Sequence, residues 1–203
     1  MHKETLSKNT GIVLGKIAHI STPFYLAGGT ALALEFGHRI SIDLDFFIQE
    51  AFSVDILIEQ LNSIGELKIE DQSKTTFNGT LDGIKISFFE YQFPLLFPTK
   101  EFLGVNIADE RDIGAMKIQA ISGRGTKKDF VDLFILLKKY SLSELIQFFH
   151  DKYKNFNYNK LYILKSLSYF GDAEENPEPE MIIPVSWIEV KKTIKKKVKD
   201  YLG

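Results

Sequence analysis

The chain contains no cysteine. This excludes disulfides, thiol nucleophiles and zinc–thiolate sites within it, and is compatible with a reducing compartment. Long apolar runs are also missing. No stretch approaches the roughly 20 apolar residues of a membrane-spanning helix, and the opening segment MHKETLSKNTGIVLGKIAHI has no long apolar core of the signal-peptide kind. A cytoplasmic protein with no membrane association is therefore expected. A large excess of either charge is missing as well. A net charge of −2 predicts no overall attraction to nucleic acid or acidic membranes, so any such binding must come from a local patch. There is no internal repeat and no regular βαβα alternation of the doubly wound type.

Core-forming material is abundant. Hydrophobic residues make up 44% of 203, including 17 Phe and 8 Tyr. That suits one domain of ordinary size, or a core with a small appendage, built on aromatic side chains. Helical spacing runs from about Leu6 to Ile20, weakened by Gly11 and Gly15. PFYLAGG reads as a short strand ending in a glycine turn. TALALEFG reads as a helix with Thr30 as N-cap and Gly37 as its stop. SIDLDFFI alternates like a strand, and SVDILIEQLNSIG is a helix capped at Ser53. LKIEDQS, TTFNGTLDG and IKISFFEYQF read as antiparallel strands.

From Asp109 the pattern turns helical. DERDIGAMKIQAIS is followed by the loop GRGTKK, then by DFVDLFILLKKY and two more amphipathic segments. GDAEENPEPE reads as an acidic linker or exposed loop, and SWIEVKKTIKKKVKDYL as a last helix. The expected fold class is α+β: a small mixed sheet with flanking helices over residues 1–108, and a helical region over 109–203 packed on that core.

Two carboxylates stand in the apolar stretch GGTALALEFGHRISIDLDFF. On a strand, Asp43 and Asp45 would point to one face, and like charges so placed repel. Either both face solvent, or a divalent cation stabilises the pair. Mg²⁺ suits such a pair, since it takes one or two carboxylates together with substrate phosphates. Gly28 and Gly29 fit a tight strand-to-helix turn. They would equally let backbone approach a phosphate, with Thr30 in the first turn of a helix whose N–H groups face the anion. The run is not a P-loop, because no G-K-[ST] follows at the right spacing. His38 could contact phosphate or cap the preceding helix, and Arg39 could pair with phosphate or with either aspartate.

A second constellation lies downstream. Lys117 sits beside Ile113, Met116 and Ala120 at helical spacing, and either snorkels or serves a ligand. SGRGTKK carries Arg124, Lys127 and Lys128, a solvated loop or a partner for phosphate. Asp129 and Asp132 occupy one helix face, and Thr126 with Asp129 also fits a variant capping box. In the last helix, Trp187, Val190, Ile194 and Val198 form an apolar stripe, with six lysines over the rest. That lysine surface is either a solvated face or an RNA-backbone patch.

Two blocks, roughly residues 24–47 and 113–137, carry a resemblance. GGTALAL…GHRISIDLDFF looks like the first motif of the AbiEii/AbiGii toxin family, within the DNA polymerase β-like nucleotidyltransferases. DIGAMKIQAISGRGTKKDFVDLFILL is similar to that family's lysine-containing helix and the acidic helix after it. The resemblance implies a Mg²⁺-dependent transfer of a nucleoside monophosphate from an NTP to an acceptor such as the tRNA 3′ end. It also implies a cognate antitoxin. Asp43 and Asp45 would hold the metal, and Gly28, Gly29 and Thr30 would cradle phosphate. Lys117 and Arg39 would neutralise charge, and Asp129 would orient or deprotonate the acceptor hydroxyl, with Asp132 as a second acid.

One departure from the superfamily pattern stands out. Many members place a third carboxylate on a later strand, where GIKISFFEY offers Ser87, with Asp82 and Glu90 near the ends. This favours a single metal ion over a two-metal arrangement. It also leaves open a catalytically weak nucleotide- or RNA-binding module, and a small-molecule nucleotidylyltransferase remains a further alternative.

Overall fold

The computed structural model describes residues 1–203. They divide into two compact units. The first comprises Met1–Pro94 and Pro98–Asp109; the second comprises Leu95–Phe97 and Glu110–Gly203.

The first unit is built on a seven-stranded mixed sheet. Its strands are β1 (Tyr25–Leu26), β2 (Leu44–Ile48), β3 (Leu67–Gln72), β4 (Thr76–Leu81), β5 (Ile84–Glu90), β6 (Lys100–Phe102) and β7 (Val105–Ile107). Their spatial order is β3-β4-β5-β2-β1-β7-β6. β2 runs parallel to β5 and β1 parallel to β7, while the other pairs are antiparallel. The three central segments form the antiparallel meander that their β-formers predict. Its tight turn at Asp82-Gly83 uses two positive φ angles, 48° and 76°. The hairpin β6–β7 turns in the same way at Leu103-Gly104, with φ of 52° and 78°.

Three helices accompany the sheet: α1 (Lys8–Ile17), α2 (Gly28–Phe36) and α3 (Val54–Ile64). The helical spacing read from Leu6 to Ile20 thus resolves into a shorter helix, capped by Ser7, whose hydroxyl accepts from the Thr10 N–H at 3.0 Å. Phe46 stacks on Phe88 at 4.8 Å, and Phe24 meets the Phe88 ring edge-on at 5.0 Å. Alternation along β2 and β5 puts these rings on the core face and leaves Asp45 and Ser87 on the other.

The second unit is helical: α4 (Glu110–Arg124), α5 (Lys127–Lys139), α6 (Leu142–Lys152), α7 (Lys160–Ser166), α8 (Gly171–Glu174) and α9 (Trp187–Leu202). The expected loop GRGTKK shrinks to Gly125 and Thr126, because α4 continues through Arg124 and α5 begins at Lys127. The acidic segment read as a linker opens with the short helix α8. Its Glu174 accepts hydrogen bonds from the Trp187 indole at 2.9 Å and from Lys191 at 2.6 Å. α9 buries Val190, Ile194 and Val198, as its apolar stripe predicts. Asp112 and Lys152 form a fully buried ion pair at 2.7 Å. Asp112 also accepts from the backbone N–H groups of Leu96 and Phe97 at 3.0 Å, and so ties that short segment to α4 and α6. Burial pushes the Lys152 pKa down, and the Asp112 carboxylate opposes that shift.

Candidate active site

Two clusters carry the residues that the sequence singles out, one in each unit. In the first unit, the chain leaves β1 and enters α2 directly. The helix begins at Gly28, with Ala27 as its cap residue, so Thr30 lies inside the first turn rather than at the N-cap. Its hydroxyl instead bonds Ser41 Oγ at 2.8 Å and the Asp43 backbone carbonyl. This ties the helix start to the segment leading into β2. Asp43 itself precedes the strand, which starts at Leu44. The expectation of two side chains in strict strand alternation therefore holds for Asp45 alone.

The glycines have a steric reason. Gly28 has φ +68°, a left-handed conformation, and a Cβ there would meet Asp45 Oδ2 at 3.0 Å. A Cβ at Gly29 would overlap the Arg39 guanidinium. The two glycines thus let a carboxylate and a guanidinium approach the N-terminus of α2. There the first backbone N–H groups have no partner within the helix, and the macrodipole favours negative charge. Arg39 is buried, and its Nη1 donates to the Ile40 carbonyl at 3.1 Å. His38 is fully buried, its ring 6.5 Å from that of Phe36, inside the fold rather than on a surface.

The parallel pairing of β2 with β5 sets Asp45 directly opposite Ser87. Ser87 is buried, so the strand position beside the D-x-D holds a hydroxyl. Glu90 pairs with Ile48 and belongs to the opposite face. Asp82 is engaged elsewhere, by Lys16 at 2.7 Å and the Glu66 N–H at 3.0 Å, and these bonds hold its carboxyl below the usual range. Neither acid joins the pair. Asp45 stands beside the helix N-terminus, and Asp43 is tied in through its backbone carbonyl; acids of this kind suit a hard divalent ion that completes its shell with phosphate oxygens and water.

In the second unit, the Lys117 ammonium lies 2.9 Å from Asp129 Oδ1 and 2.7 Å from Asp132 Oδ2. Asp132 is fully buried and Lys117 nearly so. Asp129 Oδ2 also accepts from the Thr126 N–H at 3.1 Å and the Thr126 hydroxyl at 2.7 Å, closing the capping box. Burial works to raise the Asp129 pKa. The Lys117 charge and the bonds from Thr126 and Lys117 outweigh it and hold the carboxyl below its ordinary value. The spacing of Lys117, Asp129 and Asp132 along two helices thus resolves into one cluster, with the lysine between the two carboxyl groups. Arg124 and Lys128 are exposed at the junction. Lys127 is buried instead, with its Nζ on Glu178 at 2.9 Å. Sequence reasoning did not find the Asp112–Lys152 pair.

A family model described as nucleotidyl transferase AbiEii toxin, type IV TA system, matches residues 16–200. An uncharacterised protein of Aquifex aeolicus (strain VF5) is 44% identical over 189 residues, 90% of each chain. Among solved structures, the fold is similar to that of the nucleotidyltransferase toxin MenT4 from Mycobacterium tuberculosis H37Rv. The TM-score is 0.63 at 14% identity, covering 94% of this chain and 82% of that one. It is also similar to JHP933 from Helicobacter pylori, with TM-score 0.56, 18% identity, and coverage of 96% and 94%.

Proposed function

The chain belongs to the AbiEii family of nucleotidyltransferase toxins of type IV toxin–antitoxin systems, and on that premise we propose that it transfers a nucleoside monophosphate from an NTP to an RNA acceptor such as the tRNA 3′ end, with Mg²⁺ held by Asp43 and Asp45. Family membership implies an NTP substrate and an antitoxin partner. The observation that carries the reading is the placing of Asp45 against Gly28 at the start of α2.

Triphosphate oxygens would lie against the N–H groups of Gly28, Gly29 and Thr30. Thr30 keeps Asp43 next to that helix start through its bond to the Asp43 carbonyl. Arg39, packed against Gly29, adds fixed positive charge. Bound Mg²⁺ would supply charge neutralisation on the phosphates and Lewis acidity toward the α-phosphoryl group. The acceptor hydroxyl oxygen attacks the α-phosphorus, the bond from that phosphorus to the bridging oxygen breaks, and pyrophosphate leaves with its electron pair. Lys117 is the proposed neutraliser of charge developing on phosphate. Asp129, which the family resemblance makes an acid of the site, is the proposed group that orients the acceptor hydroxyl or takes its proton. Catalysis then rests on positioning and electrostatics.

The test mixes the purified chain with Mg²⁺, total tRNA and each α-labelled NTP in turn, beside the Asp43→Ala/Asp45→Ala variant. Label entering tRNA with the native chain alone supports the reading and identifies the nucleotide. No label with any nucleotide, from folded protein, overturns the RNA acceptor.

A further inference from the structure

β2 and β5 carry rings on both faces, and the core uses only one of them. Phe46 and Phe88 are fully buried on that side. The opposite face starts with Asp45 beside Ser87 and continues, two residues on, with Phe47 beside Phe89. β1 adds Tyr25, directly across from Phe47. These three rings form a row across the sheet. Tyr25 and Phe47 stack with centroids 6.0 Å apart and 25° between their planes, and Phe47 and Phe89 stack at 5.2 Å and 29°. Tyr91 meets Phe47 edge-on at 5.4 Å. Tyr25 is buried and backs the row. Phe47, Phe89 and Tyr91 are half-buried, so the row keeps accessible aromatic surface.

A sheet face turned to water is ordinarily polar. That holds for the layer of Asp45 and Ser87 and fails at the next layer. The two layers are about 7 Å apart, the rise of two strand residues. The polar layer lies where α2 begins, since Gly28 stands against Asp45. One face therefore offers groups for metal and phosphate at one level and rings at the next. The register of β2 with β5 fixes the spacing between them.

We propose that the Phe47–Phe89 row packs the base of the nucleotide whose triphosphate lies at the start of α2. The inference rests on the reading of that helix start as the NTP site, and it adds the place of the base and the way the base is held. A base is a flat ring that meets aromatic side chains by offset or edge-on contact. Contact of this kind tolerates any base, because every base has a π-face. The order of groups on the sheet matches the order of groups in the ligand, with charge at the triphosphate and rings at the uncharged end.

The test compares binding of each ribonucleoside triphosphate with binding of inorganic tripolyphosphate, both with Mg²⁺, by isothermal titration of the full chain. The native chain should bind NTP more tightly than tripolyphosphate. Phe47→Leu and Phe89→Leu keep most of the apolar volume and remove the ring. Each should weaken NTP binding about three- to tenfold and leave tripolyphosphate binding unchanged. The unchanged tripolyphosphate binding also reports that the variant is folded. NTP binding at native strength in both variants overturns the inference. So does an equal loss for NTP and tripolyphosphate, which would mark rings that only support the fold. A native chain that binds tripolyphosphate as tightly as every NTP overturns it too, while keeping the phosphate site. Ring-dependent NTP binding in a chain that labels no RNA supports the row and removes only the transfer to RNA. A native chain that binds neither ligand removes the nucleotide site and the inference together.

Discussion

Gly28 illustrates why a single residue matters here. Its left-handed φ costs a side-chain-bearing residue about 1 kcal/mol, and the Asp45 carboxylate occupies the space a Cβ would need. Gly28→Ala should therefore weaken NTP binding with only a small change in melting temperature. Gly29→Ala must displace the Arg39 guanidinium and should lose both stability and affinity; isothermal titration and thermal denaturation separate the two. Asp43→Asn and Asp45→Asn remove charge but little volume. Each should lower the rate of label transfer at least about a hundredfold, the upper end of the loss seen when support around a bound metal is removed, while circular dichroism stays native. Equal transfer by both variants would remove these aspartates from the chemistry.

At the scale of elements, the junction of α4 with α5 depends on Asp129, which closes the Thr126 cap and pairs with Lys117. Asp129→Asn should cost about 1 kcal/mol in urea denaturation. The pKa of this carboxyl is depressed in the folded chain, so its contribution to stability is present above its unfolded value, near 3.8, and is lost as pH falls through the folded value. Native and variant stabilities should thus differ at neutral pH and converge only in acid below that value. Convergence near neutrality would contradict the cluster. The buried pair that ties α4 to α6 behaves differently. Lys152→Met leaves the Asp112 charge buried and should cost about 3–5 kcal/mol, whereas the double change Asp112→Asn/Lys152→Met should recover much of that loss. A double variant no better than the single one would show that the bonds from Asp112 to Leu96 and Phe97 dominate.

For the whole molecule, the consequence is linkage. A ligand that binds only the folded chain stabilises it by about 2.7 kcal/mol at a hundredfold excess over its Kd. NTP with Mg²⁺ should raise the melting temperature, EDTA should remove that rise, and the Asp43→Asn/Asp45→Asn chain should show none. An undiminished shift in EDTA would mean that nucleotide binds without a divalent ion. No helix is long and apolar enough to cross a membrane.

What can be read from the sequence is what local periodicity encodes. The stop at Gly37, the stripe of α9 and the Thr126–Asp129 box each involve residues within a turn or two of one another. Their geometry follows from the 3.6-residue helical repeat. Register and long-range charge pairing do not follow from such repeats. Ser87 stands opposite Asp45 only because β2 and β5 pair in parallel at that register, and Asp82 is drawn away by a lysine 66 residues distant. Lys152 looks like any lysine on an amphipathic helix until folding buries it against Asp112, 40 residues away. By itself the sequence determined which groups the chain could bring to a phosphate. Tertiary structure decided which carboxylates pair with lysine and which stands at a helix N-terminus, because burial and pairing between distant segments set where charge is tolerated.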